Sequence, residues 1–295
     1  MSFDIEISKV NVQYSSTKAL DHIDLRLQYG KIYGLLGRNG AGKTTLLSIL
    51  GSFMEPTSGT VRLGGRQIFE QREVMQHVIF VYDADYKEET EKVQDMLEAV
   101  EHYRPHFDRE YADYLAERFK LPLQKKMKEL SKGQQSAVNI TMGLASRSPV
   151  TIFDEAYLGM DAPSRDIFYR ELLEDHAQHP RTIILSTHHV SEVEHLFEEV
   201  IMLHEGRLLI HAPIDQLLER GAAVTGAAQD VDSFVKEMKV LHTEQLGGTK
   251  QAMVFGNLGE AQRQAAKQAG LELGIVSLQQ LFIHMTEEEN VNEVR

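Results

Sequence analysis

Hydrophobic and polar residues alternate over residues 3–29, as in Ile5, Ile7 and Val10 of the first run. A two-residue period is typical of strands with one buried face. We therefore predict a small antiparallel sheet at the start of the chain. The segment 60–63, followed by two glycines, indicates a further hairpin strand.

Four short runs are apolar without alternation, which is typical of strands that are buried on both faces of a parallel sheet. These runs are residues 32–36, 78–81, 150–153 and 182–186. Helical segments separate them, so the pattern predicts an α/β core.

Between residues 88 and 121 the apolar residues recur at three- and four-residue spacing, as in Val93, Met96 and Leu97. Pro105 separates two predicted helices, and another apolar helix follows at 137–145. We interpret the stretch of about 86–145 as a helical insertion in the α/β core.

The pattern changes again after residue 215, where short helical and strand-like segments mix. We predict helices at 231–240, 260–269 and 278–285, and strands at 251–255 and 271–276. The tail from Glu287 onward is acidic and is expected to be frayed and solvated. These patterns predict two domains, 1–215 and a small α+β domain at 216–295.

Composition excludes several classes of protein. A formal net charge of −13 argues against a nucleic-acid-binding surface, which needs clustered Lys and Arg. The absence of cysteine excludes a disulfide framework and a thiolate metal site. No run approaches the roughly 20 apolar residues that span a bilayer, and the N-terminus lacks the features of a signal peptide.

The strongest chemical signal is the run at residues 37–45, which lies between a predicted strand and a predicted helix. It matches G-x-x-x-x-G-K-[ST], the pattern of a loop whose backbone N–H groups surround phosphate oxygens. We expect Lys43 to reach the β- and γ-phosphates and Thr44 to ligate Mg²⁺. The predicted nucleotide-binding residues are Gly37, Arg38, Asn39, Gly40, Ala41, Gly42, Lys43, Thr44 and Thr45.

Two acids end the predicted strand at 150–153, and a histidine follows the strand at 182–186. The carboxyl ends of parallel strands line the ligand crevice of an open α/β sheet. There Asp154 is expected to hold Mg²⁺ and Glu155 to polarise the attacking water. His188 is expected to contact the γ-phosphate or that water.

These motifs, together with Leu130-Ser-Lys-Gly-Gln and residues 158–161, stand in the order and spacing of the ATP-binding-cassette (ABC) ATPases, which the chain resembles over about 3–215. The resemblance implies that Tyr14 stacks on adenine and that Asp161 belongs to the loop crossing a dimer interface. It also implies that the signature residues Ser131, Gly133 and Gln134 contact ATP.

The same resemblance implies a head-to-tail dimer, a homodimer or a heterodimer with another ABC ATPase, in which each signature segment closes on the partner's phosphate loop. It further implies transmembrane permease subunits as partners and a cytoplasmic location at the inner face of the membrane. Residues 216–295 resemble the small extension of bacterial exporter-type subunits.

The chain departs from the family pattern at two positions. Asp83 stands where the family usually has glutamine; its carboxylate is a candidate Mg²⁺ ligand but adds negative charge near the phosphates. Lys132 replaces the usual glycine of the signature, and either faces the partner's nucleotide or points to solvent. Two other hypotheses stay open, namely a soluble ABC-type ATPase without a transporter and a nucleotide-gated binding module with little turnover.

Overall fold

The computed structural model describes residues 3–292, with side chains described up to Glu287. Its strands are β1 (Ile5–Tyr14), β2 (Thr17–Leu27), β3 (Ile32–Leu36), β4 (Ser58–Leu63), β5 (Arg66–Gln67), β6 (Val78–Tyr82), β7 (Val150–Asp154), β8 (Thr182–Thr187), β9 (Glu199–His204), β10 (Arg207–Pro213), β11 (Gly221–Ala227), β12 (Lys239–Leu246), β13 (Thr249–Phe255) and β14 (Glu272–Gly274).

The α-helices are α1 (Lys43–Leu50), α2 (Arg72–Met75), α3 (Val93–Tyr103), α4 (Arg109–Arg118), α5 (Lys132–Ala145), α6 (Ala162–Gln178), α7 (Val190–Val193), α8 (Ile214–Glu219), α9 (Ala228–Val235), α10 (Glu260–Gln268) and α11 (Leu278–Asn292). None of the helices in residues 3–292 is long and apolar enough to cross a membrane.

The described chain divides into two compact units. The first is Met1–His188 with Leu196–His211, and the second is His189–His195 with Ala212–Arg295. The division thus falls before Ala212, and a short segment from within the first unit's span joins the second. That 1–215 and 216–295 are separate domains stays a prediction.

A six-stranded sheet with the order β10-β9-β3-β8-β7-β6 forms the centre of the first unit. The pairs β9/β3, β3/β8, β8/β7 and β7/β6 are parallel. Every residue of β3, β7 and β8 is buried, as the continuous apolar runs predict. Parallel pairing brings the carboxyl ends of these strands to one edge of the sheet.

The predicted antiparallel sheet is also present, with the order β2-β1-β4-β5. Its inward residues, such as Ile5 and Leu20, share a core with Leu46 of α1 and Ile152 of β7. Because this core joins both sheets through α1, the loop before α1 is held from both sides.

The helical insertion is confirmed as two helices, α3 and α4, on either side of Pro105, followed by α5. Asp108 caps α4 by accepting a hydrogen bond from the Tyr111 amide at 2.9 Å. Because α5 packs against α3, α4 and the strands β6 and β7, it links the insertion to the sheet.

The second unit has a four-stranded antiparallel sheet with the order β12-β13-β11-β14. Helix α9 packs on β11 and β13 around Val224, Val231 and Val254. The prediction of one helix over 231–240 is wrong, because α9 ends at Val235 and β12 begins at Lys239. Val240, at the end of the predicted helix, pairs with Val254 in the sheet, so tertiary pairing overrides the helical spacing.

Strand β11 has no counterpart among the predicted elements. At the other end of the unit, α11 continues to Asn292, so the backbone beyond Glu287 is helical rather than frayed. The predicted solvation of that tail concerns side chains that lie outside the described residues.

Candidate nucleotide-binding site

The loop between β3 and α1 has the backbone that a phosphate-binding loop requires. Gly40 and Gly42 have φ angles of 83° and 98°, a left-handed backbone region that residues with a Cβ atom rarely adopt. A Cβ on Gly42 would lie 2.6 Å from the carbonyl oxygen of Ala19. Helix α1 begins directly after Gly42 without a side-chain cap, so its first N–H groups and its positive dipole end remain available to an anion.

Lys43 is the first residue of α1 and is only 7% exposed. Its Nζ donates a hydrogen bond of 2.7 Å to the carbonyl oxygen of Gly37. Burial lowers the pKa of the Lys43 ammonium, while the negative charges of Glu155 and Asp154 counteract that shift. Lys43 therefore lies inside the loop and interacts electrostatically with both acids.

Asp154 and Glu155 follow one another at the end of β7 but have different surroundings. The buried Asp154 carboxylate accepts a hydrogen bond from the Ser186 hydroxyl on neighbouring β8. Glu155 has a left-handed backbone, with φ 51°, and a hydrogen bond of 2.8 Å joins its Oε1 to Nδ1 of His188. This conformation is costly for a residue with a Cβ, and it turns the Glu155 carboxylate toward the histidine.

A cavity of about 710 Å³ brings most of the predicted residues together. It is large enough for a nucleotide, since ligand cavities usually measure about 300–1,000 Å³. Its lining comprises Thr17, Lys18, Ala19, Arg38, Asn39, Gly40, Ala41, Gly42, Lys43, Thr44, Thr45, Ser48, Phe53, Phe80, Tyr82, Asp83, Asp154 and Glu155. The loop from Arg38 to Thr45 and all three predicted metal ligands thus face one space.

Other predicted site residues lie outside this lining in the described chain. Gly37 accepts the hydrogen bond from Lys43, and His188 is hydrogen-bonded to Glu155, which is part of the lining. Tyr14 ends β1, is 51% exposed, and directs its hydroxyl to the Met54 sulfur at 3.2 Å. The adenine-stacking role of Tyr14 stays a prediction.

The signature residues cap and pack at the start of α5. The Ser131 hydroxyl accepts a hydrogen bond from the Gln134 amide at 3.3 Å, and the Gln134 side chain accepts one from the Ser131 amide at 3.1 Å. This reciprocal pair is a capping box. A Cβ on Gly133 would lie 2.6 Å from the Gly159 carbonyl oxygen, so this close approach requires glycine.

Asp161 caps α6 by accepting a hydrogen bond of 2.9 Å from the Ser164 amide. Hydrogen bonds from the Ser164 side chain and backbone lower the pKa of the Asp161 carboxyl. At the first residue of α5, the Lys132 ammonium forms an ion pair with the Asp83 carboxylate. Lys132 therefore has a specific partner and does not simply point to solvent.

The donor set of the cavity fits Mg²⁺. Thr44 offers a hydroxyl oxygen, while Asp154 and Asp83 offer carboxylates, and Mg²⁺ prefers oxygen ligands. The described residues contain no cluster of three or more His, Cys, Asp or Glu that is arranged to hold a metal alone. Mg²⁺ commonly relies on one or two carboxylates plus substrate phosphates, so this sparse set suits a metal that arrives with a nucleotide.

Sequence reasoning missed several residues of the lining. Thr17, Lys18 and Ala19 come from the start of β2, and Phe53 follows α1. The sequence offers a signal for Phe53, because it is a large apolar residue directly after the predicted helix, and the structure leaves it 58% exposed. No sequence signal distinguishes the β2 residues, since they enter the cavity only through the pairing of β1 with β2.

The fold and this cavity define a nucleotide-binding protein with a phosphate loop at the edge of a mostly parallel sheet. The family model described as "ABC transporter" matches residues 20–158. An uncharacterized ABC transporter ATP-binding protein of Methanocaldococcus jannaschii, MJ1023, is 30% identical over 75% of this chain and 81% of its own length. The chain belongs to the ABC transporter ATP-binding family.

A further relative is also an ABC transporter ATP-binding protein, and two solved structures share the fold. The ABC transporter ATP-binding protein YtrB of Bacillus subtilis is 27% identical over 82% of this chain and 84% of its own length. The structure of an ATP-binding subunit of an ABC transporter superposes with a TM-score of 0.64, at 22% identity, over 72% of this chain and 91% of that one. The dimeric structure of the ATP-binding cassette MJ0796 bound to ADP and Pi superposes with a TM-score of 0.62, at 19% identity, over 71% of this chain and 98% of that one.

Proposed function

We propose that this protein binds ATP with Mg²⁺ in the cavity described above and hydrolyses it to drive transport through separate transmembrane subunits. The observation that carries the proposal is the convergence of the phosphate loop, Asp154 and Glu155 on one space. An anion-binding loop, metal-binding oxygens and a candidate base are the parts that phosphoryl transfer to water requires.

Each group has a defined task in this proposal. The loop amides and Lys43 hold the β- and γ-phosphates. Lys43 gives up its hydrogen bond to the Gly37 carbonyl oxygen, and new hydrogen bonds to phosphate oxygens offset that loss. Bound Mg²⁺, held by Thr44 and Asp154, would neutralise charge on the phosphates, whereas the Asp83 carboxylate is engaged by Lys132. Glu155 accepts a proton from the attacking water, and His188 orients the Glu155 carboxylate through the 2.8 Å hydrogen bond.

The proposed working form is a head-to-tail dimer of two such chains, or of this chain with another ABC ATPase. In it Ser131, Gly133 and Gln134 of one subunit meet the nucleotide of the other, beside Asp161. Support comes from the start of α5, where the helix dipole and the first-turn N–H groups other than that of Gln134, which donates to Ser131, suit an anion. A solved structure of the same fold, the MJ0796 cassette bound to ADP and Pi, is dimeric.

A groove of about 400 Å³ between β6 and the helical insertion is the proposed contact for a transmembrane subunit. Its walls include Tyr82, Met96, Val100 and the strongly exposed Tyr103. Exposed aromatic residues of this kind mark protein interaction surfaces. The acidic segment 88–91 provides charges that would meet basic residues of such a partner.

Phosphate release from ATP tests the catalytic part of the proposal. We expect release in proportion to protein concentration, loss of release when EDTA removes Mg²⁺, and loss of ATP binding in Lys43→Met. Lys128→Met removes a lysine charge from an exposed position and serves as the matched control. If the protein binds ATP but releases no more phosphate than Lys43→Met, the hydrolytic role is wrong and a nucleotide-gated binding role replaces it.

Membrane association tests the transport part. In membranes of the source organism we expect the wild-type protein to sediment with the membrane fraction and to be released by alkaline washing. Tyr103→Glu puts a charge into the groove and should shift the protein to the supernatant. Gln264→Glu adds the same charge on exposed α10 and should not. If Tyr103→Glu sediments like Gln264→Glu, the groove is not the contact; if the wild-type protein stays in the supernatant, a soluble ATPase without a transporter is favoured.

A further inference from the structure

The two residues at which the chain departs from the family pattern are bonded to each other. Asp83 follows β6 and Lys132 begins α5, so α3 and α4 separate them along the chain. In the fold the Lys132 ammonium pairs with the Asp83 carboxylate and lies 3.5 Å from the Ala84 carbonyl oxygen. Each side chain of the pair is 46% exposed.

The two partners have different relations to the nucleotide cavity. Asp83 is part of its lining, together with Asp154 and Glu155, so three carboxylates face the space where phosphates are proposed to bind. Lys132 lies outside that lining among the described residues, with Asp83 between it and the cavity. An acid in such a place repels a polyphosphate unless its charge is neutralised.

The lysine is held in position by packing as well as by charge. A Cβ on Gly159 would lie 2.9 Å from Cγ of Lys132, so the aliphatic stem lies directly on the turn after β7. This contact restricts the rotamers of Lys132 before the ion pair forms. The pair therefore loses less side-chain entropy than an ordinary exposed pair.

We propose that Lys132 is a positioning residue for nucleotide binding, which neutralises the Asp83 carboxylate and holds it against α5, away from the bound phosphates. This inference rests on the proposed binding of ATP in the cavity. It explains both departures from the family pattern together, because the added negative charge of Asp83 is balanced by the added positive charge of Lys132. It also couples the start of α5 to the occupant of the cavity, because the Asp83 carboxylate lines the cavity and is paired with Lys132 of α5.

Isothermal titration calorimetry of the full-length protein with ATP in EDTA tests the proposal without relying on turnover. We expect Lys132→Met to weaken ATP binding by about two- to fivefold, the range of an exposed charge pair. Lys132→Arg keeps the charge and should bind like wild type, as should the matched Lys128→Met. The loss should be larger for ATP than for ADP and should shrink in high salt.

The Asp83→Asn background separates this role from a direct attraction between Lys132 and the phosphates. If Lys132 acts through Asp83, Lys132→Met changes ATP affinity little once Asp83 is Asn. An equal loss in both backgrounds overturns the proposal, because the lysine then acts on the nucleotide itself. An equal loss for ATP and ADP, or wild-type affinity in Lys132→Met, also overturns it. Failure of the wild-type protein to bind ATP would instead overturn the proposed function.

Discussion

Glu155→Gln isolates the proposed general base with little disturbance of the fold. Glutamine has the same length, and its amide oxygen still accepts a hydrogen bond from His188 Nδ1 across the observed 2.8 Å. The left-handed backbone, with φ 51°, is equally unfavourable for both residues. The side chain is 25% exposed, so we expect the free energy of unfolding to change by less than about 1 kcal/mol.

The chemical step should respond far more strongly. Proton transfer by a positioned side chain contributes about 10²- to 10⁴-fold, which corresponds to roughly 3–5 kcal/mol of activation free energy. We expect kcat for phosphate release to fall by that factor. ATP affinity should persist, because Asp154 still supports the charge of Lys43 and the phosphate loop is unchanged.

The assay combines phosphate release with light scattering in Mg-ATP. If two subunits close around ATP, the variant should accumulate as an ATP-dependent dimer while wild type returns to monomer. Glu70→Gln is the matched control, since Glu70 is exposed, has the same φ of 51°, and lies outside the cavity. Turnover of Glu155→Gln within about threefold of wild type would refute the assignment of the base, a bound set by the range for general-base catalysis.

Three further expectations concern stability in urea unfolding. Gly133→Ala should cost about 1–3 kcal/mol, because its Cβ would lie 2.6 Å from the Gly159 carbonyl; an unchanged midpoint refutes this. Asp175→Ala should cost about 3–5 kcal/mol by leaving buried Arg181 unpaired, and the loss should shrink when Arg181→Met is added. Burial lowers the pKa of His176, so its contribution is present above the unfolded pKa of about 6.5 and is lost as pH falls from that value through the lower folded pKa. His176→Gln should therefore flatten the dependence of the free energy of unfolding on pH below the unfolded pKa, and an unchanged slope contradicts this.

The sequence by itself determined the phosphate loop and the strands that carry the site. Residues 37–45 combine a glycine pattern with a strand before and a helix after, and these are local relations that hold in any surroundings. Continuous apolar runs likewise predicted β3, β7 and β8, because a strand that is buried on both faces is apolar at successive positions and does not alternate with polar residues. The location of Asp154 and Glu155 at the ligand crevice followed from the geometry of parallel sheets, whose strands end at one edge.

Only the tertiary structure decided how distant segments meet. No local pattern could pair Asp83 with Lys132 or bring residues of β2 into the cavity, because these contacts depend on how sheets and helices pack. The end of α9 at Val235 was missed for the same reason, since pairing of β12 with β13 outweighs helical spacing. Local motifs fixed the chemistry of the loop, and long-range packing determined which charges surround it.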